Sequence, residues 1–237
     1  MSKIAGVPWQ RAIAEFLVIF AGITLSLLAD DWRQSRADAE RERSALTEIV
    51  ADLEADSAEL APKLRRLQRW DQAALWIHRN AGRTDLGEDS ATLSIRPLFY
   101  IHHYQPVRSA YEGLRVGGDL DLVRDDGVRR LIVQYYELNQ SQIMQLDALI
   151  VQWYREYWEA TQEKVRWEAT PNATTFLDRD SPNQIALLEP WSEISQDLVF
   201  LSKATNLGIH GSVAAPHVEE ALQKNVELRQ AIAEYLR

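Results

Sequence analysis

The residues best equipped for chemistry are two neighbouring histidines, His102 and His103, flanked by Tyr100 and Tyr104, and a run of carboxylates at Asp119, Asp121, Asp125 and Asp126. Imidazole nitrogens and carboxylate oxygens in one shell would suit a divalent cation. Adjacent positions on a helix point about 100° apart, however, so the two histidines share an ion only if a third ligand arrives from elsewhere. Surface or interface histidines are the simpler reading, and no metal ligand is assigned. The carboxylates depart from the EF-hand spacing and suit a helix cap in a solvated loop. His78, His210 and His217 stand isolated in the sequence.

No Gly-x-Ser-x-Gly, P-loop, dinucleotide glycine motif or His-Glu-x-x-His occurs, and Gly117-Gly118 is too short to cradle a phosphate. No catalytic residue, cofactor or cofactor-binding residue is assigned, and the chain is expected not to be an enzyme. A hydrolase without a recognised motif is the enzymatic reading that remains. The formal charge of −9 argues against nucleic acid as a partner, because binding it requires a basic face. With no cysteine, disulfides and thiolate metal sites are excluded. Asn172-Ala173-Thr174 matches a glycosylation acceptor, a match common by chance.

The elements that position these residues begin with an apolar segment. Phe16 to Ala29 is an uncharged run of 14 residues, short against the roughly 20 that cross a bilayer. Extending back to Ala12 adds one carboxylate, Glu15, a turn inside the apolar boundary. Trp9 and Trp32 bracket the segment 23 steps apart, roughly 35 Å as helix, which matches the spacing of the aromatic belts at the two membrane interfaces. Pro8 is tolerable in a first helical turn. A cleaved signal peptide and a buried core helix are the competing readings. Leu27, two places before Ala29, makes a poor cleavage site, and charged helix formers follow without a turn signal. Residues 1–31 are therefore read as a membrane anchor and residues 32–237 as one helical domain. Ala14, Gly22 and Ser26 form a small-residue stripe suited to anchor self-association. Lys3 and Arg11 precede the span, whereas Arg33, Arg36, Arg41 and Arg43 follow it, so basic residues alone point the domain to the cytoplasm.

Past the anchor, Asp31 to about Asn80 lacks glycine and is rich in Ala, Glu, Arg and Leu, which predicts a helix continuing out of the membrane. Leu46, Leu53, Leu60 and Leu67 recur every seven residues, extended by Trp32, Ala39 and Ala74 and flanked by Ile49, Val50, Leu64 and Trp70. Arg36, Arg43, Asp56, Ser57, Lys63 and Asp71 also stand at flanking positions, which favours intramolecular packing over a coiled-coil dimer. Pro62 is expected to kink or interrupt the helix. Residues 81–92 read as a polar loop, Leu93 to Pro106 as holding one short helix, and Val107, Tyr111 and Leu114 as one face of a helix that Gly117-Gly118 breaks.

A second long helix is expected from Gly127 to about Ala169, capped by Asp125 or Asp126. After a loop from Pro171 to Asn183, a third helix begins near Pro190 with Trp191, Ile194, Leu198, Leu201 and Thr205 in register. Asn206 and Gly208 are expected to stop it, and Pro216 to open a last helix carrying Val218, Leu222, Leu228, Ile232 and Leu236. The fold class is all-α, with no alternation demanding a sheet. Tyr135, Tyr136, Trp153, Tyr154, Tyr157, Trp158 and Trp167 cover more than one face of the second long helix. They read as packing on several sides of a bundle or as the lining of a cleft or interface.

Two places carry a family resemblance. One is Leu27-Leu28-Ala29-Asp30-Asp31-Trp32-Arg33 with Leu46, Ile49 and Asp52-Leu53; the other is Ala110-Tyr111-Glu112-Gly113-Leu114, Gly118-Asp119-Leu120, Val123 and Leu131 to Tyr135-Tyr136. They are similar to uncharacterised bacterial single-span membrane proteins whose apolar N-terminal helix ends in an Asn-Asn-Trp-type sequence, with Asp30 and Asp31 here in place of the amides. The resemblance implies an inner-membrane protein with a helical, periplasmic domain and brings no activity with it. The expected function is binding, as a scaffold or accessory subunit, with a ligand-sensing domain that signals through the membrane helix as the alternative. The expected partners are the lipid bilayer and a protein, either another protein or a further copy of the chain.

Overall fold

The computed structural model describes residues 9–168 and 184–237. Of these residues 82% are helical, and the fold is all-α. Lys3, Pro8, the Arg11 side chain, the Pro171–Asn183 loop and Asn172-Ala173-Thr174 lie outside the described residues.

Helix α1 spans Trp9–Asn80, 72 residues with no break between Asp30 and Ala39. It is followed by α2 (Glu88–Ile95), α3 (Ser109–Gly117), α4 (Asp126–Gln134), α5 (Ser141–Thr161), α6 (Trp191–Ile194) and α7 (Leu198–Tyr235). Short 3-10 turns occupy Arg96–Phe99 and Asp119–Leu122. A π-helix, Tyr135–Gln140, joins α4 to α5. The sheet is an antiparallel pair, β1 (Val165–Glu168) with β2 (Gln184–Leu187), setting Val165 opposite Leu187 and Trp167 opposite Ile185.

α1 and α7 lie side by side as the spine. α2, α3 and the first 3-10 turn close over α1, while α4, the π-helix and α5 close over α7. The leucine row is buried as expected, and a second row seven apart is buried beside it: Glu42, Ile49, Asp56, Lys63, Trp70 and Ile77. Two cores result. The one nearer the apolar segment gathers Leu46, Leu53, Tyr111, Ile132, Tyr136 and Leu228; the far one gathers Leu67, Trp70, Phe99, Tyr157, Trp191 and Phe200.

Several expected boundaries move. Pro62 does not interrupt α1: the carbonyl it deprives of a donor is that of Ala58, which is exposed and left to water. Pro216 likewise sits inside α7 rather than opening a helix, with its orphaned carbonyl on exposed Ser212. Gly208 does not stop α7. A Cβ there would overlap the Ala74 methyl, and one at Gly211 would stand 2.6 Å from the Leu67 carbonyl oxygen, so both glycines serve the close approach of α7 to α1.

The third helix starts twice. α6 ends at Ile194, and Asp197 then caps α7 by accepting from the Val199 and Phe200 N–H groups, which turns Leu198 to solvent and puts Phe200, Ala204 and Leu207 inside. The polar loop ends earlier than expected, at Gly87, where α2 begins. The second long helix is cut by the π-helix and stops at Thr161, and the following residues form β1 in place of helix up to Ala169. Two expected features are present: Asp125 caps α4, its side chain accepting from the Val128 N–H, and Gly118 ends α3 at φ +73°.

Candidate functional site: a buried polar row on the central helix

On α1, Asp52, Asp56, Glu59 and Lys63 follow one another at spacings of four, three and four, which places them on one helix face. Asp56 and Lys63 are buried, and Asp52 and Glu59 are half-buried beside them. A buried charge is costly unless it is paired and hydrogen-bonded, and each of these groups has a partner on another element.

Asp56 is fully buried. Its carboxylate accepts from Tyr104 Oη at 2.6 Å, from the Val107 N–H at 3.1 Å, from Gln140 Nε2 at 3.1 Å and from Tyr135 Oη. Asn225 of α7 extends the network, donating to Tyr135 Oη at 3.1 Å and to the Leu53 carbonyl at 2.8 Å. One carboxylate thus holds the extended stretch before α3 and the π-helix against α1, and Asn225 ties α7 to the same cluster. Burial, reinforced by the Asp56 charge, pushes the Tyr104 and Tyr135 phenols far above their ordinary range, so both remain protonated donors.

The π-helix supplies one wall of this network: its Tyr135, Tyr136, Asn139 and Gln140 are all buried.

One turn beyond Glu59, buried Lys63 pairs with Asp147 of α5 and donates to the His102 carbonyl at 3.3 Å. The two histidines diverge. His102 Nε2 faces Glu59 at 3.5 Å, and His103 Nδ1 faces Asp147 at 3.7 Å. The aspartate run is likewise committed elsewhere, with Asp125 as the α4 cap and Asp121 and Asp126 beside Arg129. Among the described residues no group of three His, Asp or Glu side chains could hold a metal ion.

Asp52 and one further carboxylate of α1, Glu42, fasten loop ends. Asp52 accepts from the Ala110 N–H at 2.7 Å and from Ser109 Oγ at 3.1 Å, so it caps α3, whose own preceding residue Arg108 supplies no side-chain cap. Buried Glu42 accepts from the Arg124 N–H at 2.8 Å and from Tyr235 Oη at 2.7 Å. Across the same core, Tyr111 donates to Glu137 at 2.9 Å, and burial together with that carboxylate raises its phenol to about 12.

His78 Nε2 lies 2.6 Å from Thr205 Oγ1, but the threonine hydroxyl donates to the Leu201 carbonyl. The imidazole must therefore be the donor in that pair, which is the wrong sense for a general base. Three aromatic residues of α5 line the far core: Tyr154 stacks on Trp70 and donates to the Phe99 carbonyl at 2.8 Å, and Tyr157 and Trp158, joined by Trp167 of β1, ring Phe99. A cavity of about 440 Å³ opens between α2 and the hairpin, lined by Glu88, Asp89, Arg96, Glu168 and Leu187.

The sequence-assigned interface residues Trp9 and Trp32 are both exposed, as are Ala14, Gly22 and Ser26, and among the described residues nothing beyond the local helix backbone comes within 4 Å of where a Gly22 Cβ would stand. Sequence reading missed Asp56, Lys63 and Asp147 as a site. Their signal is charge in a row that is otherwise apolar. No protein-family model, curated protein or solved structure matches the chain.

Proposed function

We propose that this is a single-pass membrane protein whose helical domain acts by binding another protein, as a scaffold or accessory subunit. One observation carries the reading. From Ile13 to Arg36 every side chain of α1 is exposed, including Phe16, Ile19, Phe20, Ile23 and Leu27, and the apolar part of this stretch is long enough to cross a membrane. Apolar surface on that scale is stable in lipid and not in water.

Trp9 and Trp32 would then lie at the two interfaces, and the stretch from Trp32 to Glu42, the first buried residue, forms a stalk of about 15 Å. The resemblance to single-span inner-membrane proteins supports a bacterial inner membrane and a periplasmic domain. Because α1 is one helix from the span to Asn80, displacement of the domain would be transmitted to the bilayer segment without a flexible joint.

The test is fractionation followed by mild solubilisation. The full chain is expected in membranes after alkaline washing, and Ile19→Arg with Ile23→Arg should release it, each arginine costing about 2.5–3.5 kcal/mol at the centre of a span. A wild-type chain in the soluble fraction would sink the membrane reading; purification alone, with no protein beside it, would sink the accessory role. A ligand-sensing domain is the second reading, favoured by the cavity between α2 and the hairpin. Thermal stabilisation by a small molecule, lost on Arg96→Ala, would support it.

A further inference from the structure

On the side of the α1–α7 pair away from the other helices, a shallow groove stays open. Its upper end is a cavity of about 210 Å³ lined, among the described residues, by α1 and α7 alone. Leu75, Ile209 and Val213 stand around it at 45%, 52% and 55% exposure, with Gly208 and Ser212 also in its lining. A neighbouring cavity of about 440 Å³ shares Asp71 and Ser212 with the first and continues along α7 to Glu219. From Thr205 to Glu219 the groove runs about 21 Å.

We propose that this face is where two copies of the chain meet, their α1 helices parallel and related by a two-fold axis along them. The inference rests on the membrane reading above. A two-fold contact requires one patch to be its own complement, and this patch has both parts: protruding Leu75, Ile209 and Val213 beside a depression over Gly208 and Ser212.

The anchor supplies the geometry. Since α1 is unbroken from the span to Leu75, copies in one bilayer carry the patch at the same height and facing sideways, as an axis parallel to α1 demands. The anchor also answers a shortfall in area. Two helices about 10 Å across and about 21 Å long present roughly 400 Å², about half of what each partner buries in a stable soluble pair. Confinement to a membrane raises the effective concentration enough for so small a contact to hold. The contact centres on the apolar end, with Glu219 left at the wet end nearer the bilayer and Asp71 at the junction of the two cavities.

The chain has no cysteine, so a single introduced thiol reports its own neighbourhood. Membranes carrying Ile209→Cys or Val213→Cys, treated with a short bis-maleimide, are expected to give a covalent dimer. Leu93→Cys, 64% exposed on α2, should stay monomeric, and adding Leu75→Glu to the Val213→Cys chain should abolish its dimer. Equal cross-linking at Ile209 and Leu93, monomers at both groove positions, or a heavier adduct to another protein would overturn the proposal. Failure of the membrane reading is recognised separately, before any cross-linker is added, by recovery of the chain in the soluble fraction.

Discussion

The two halves of α1 invert the usual rule. In the lower half, Phe16, Val18, Phe20 and Leu25 are exposed, whereas in the upper half Glu42, Asp56 and Lys63 are buried. Each half is consistent with a different solvent. The lower half makes no packing contact among the described residues that would remove its apolar surface from its surroundings, which is what the proposed span in lipid requires. The upper half can bury charge because other elements bring it donors and an opposite charge. What the contrast teaches is that environment, and not residue type, decides what a helix face costs.

The sharpest way to break this contrast is to leave the buried donors without their acceptor. Asp56→Ala strips Tyr104, Tyr135, Gln140 and the Val107 N–H of their shared partner. The expected loss is about 3–5 kcal/mol, roughly a 10 °C fall in melting temperature for the detergent-solubilised full chain followed by circular dichroism. A fall no larger than that of an exposed substitution would mean that the network is not what joins the extended stretch and the π-helix to α1.

Next comes the ion pair. Lys63→Met leaves the Asp147 carboxylate buried with its counter-ion gone, at a similar cost of about 3 kcal/mol or more. Adding Asp147→Leu should restore most of the stability, because two apolar groups need no partner. If the double variant is as unstable as the single one, the pair does more than neutralise its own burial.

The comparison is sharpened by an identical change in both halves. Leu53→Ala, in the buried row, should cost about 2–5 kcal/mol, whereas Leu25→Ala, 67% exposed, should stay within about 0.5 kcal/mol. Equal effects on thermal unfolding would show that the lower half is packed against something in the solubilised protein.

The sequence made the lower half legible and the upper half only partly so. An uncharged run between tryptophans needs no tertiary information. The leucine row at Leu46 to Leu67 was equally plain, because burial of an apolar seam follows from spacing alone. Asp56 and Lys63 also stood out, but they read as evidence against a dimer and not as a site, since their partners Tyr135, Gln140 and Asp147 lie about eighty residues away. Local breaker rules failed where tertiary contact overrode them: glycine and proline in α7 mark, respectively, close packing on α1 and an exposed carbonyl, and neither ends the helix. The π-helix left no mark in the inward pattern, because Tyr135, Tyr136, Asn139 and Gln140 would share one face of an ordinary α-helix too.

The smallest expected effect lies outside α1, at the start of α7, and asks whether a solvated charge follows the same logic as a buried one. Asp197 accepts from two backbone N–H groups and pairs with Lys164 at 2.6 Å. Lys164 first, then the α7 N–H groups, hold its carboxyl below the ordinary value of 3.8, and Asp197 in turn holds Lys164 above 10.5. The aspartate's contribution is therefore present above its unfolded value and lost as pH falls through its depressed folded value. The lysine's is present below 10.5 and lost as pH rises through its elevated one. Between those limits Asp197→Ala should cost about 1 kcal/mol, the ordinary worth of a cap. The gap in melting temperature between wild type and variant should stay level from about pH 5 to 9 and close below about pH 4, where wild type also loses the anion. High salt should narrow the gap without removing it, because the cap hydrogen bonds survive screening while the exposed Lys164 contact does not. A gap unchanged at low pH would assign the start of α7 to the packing of Phe200, with no part played by the Asp197 charge.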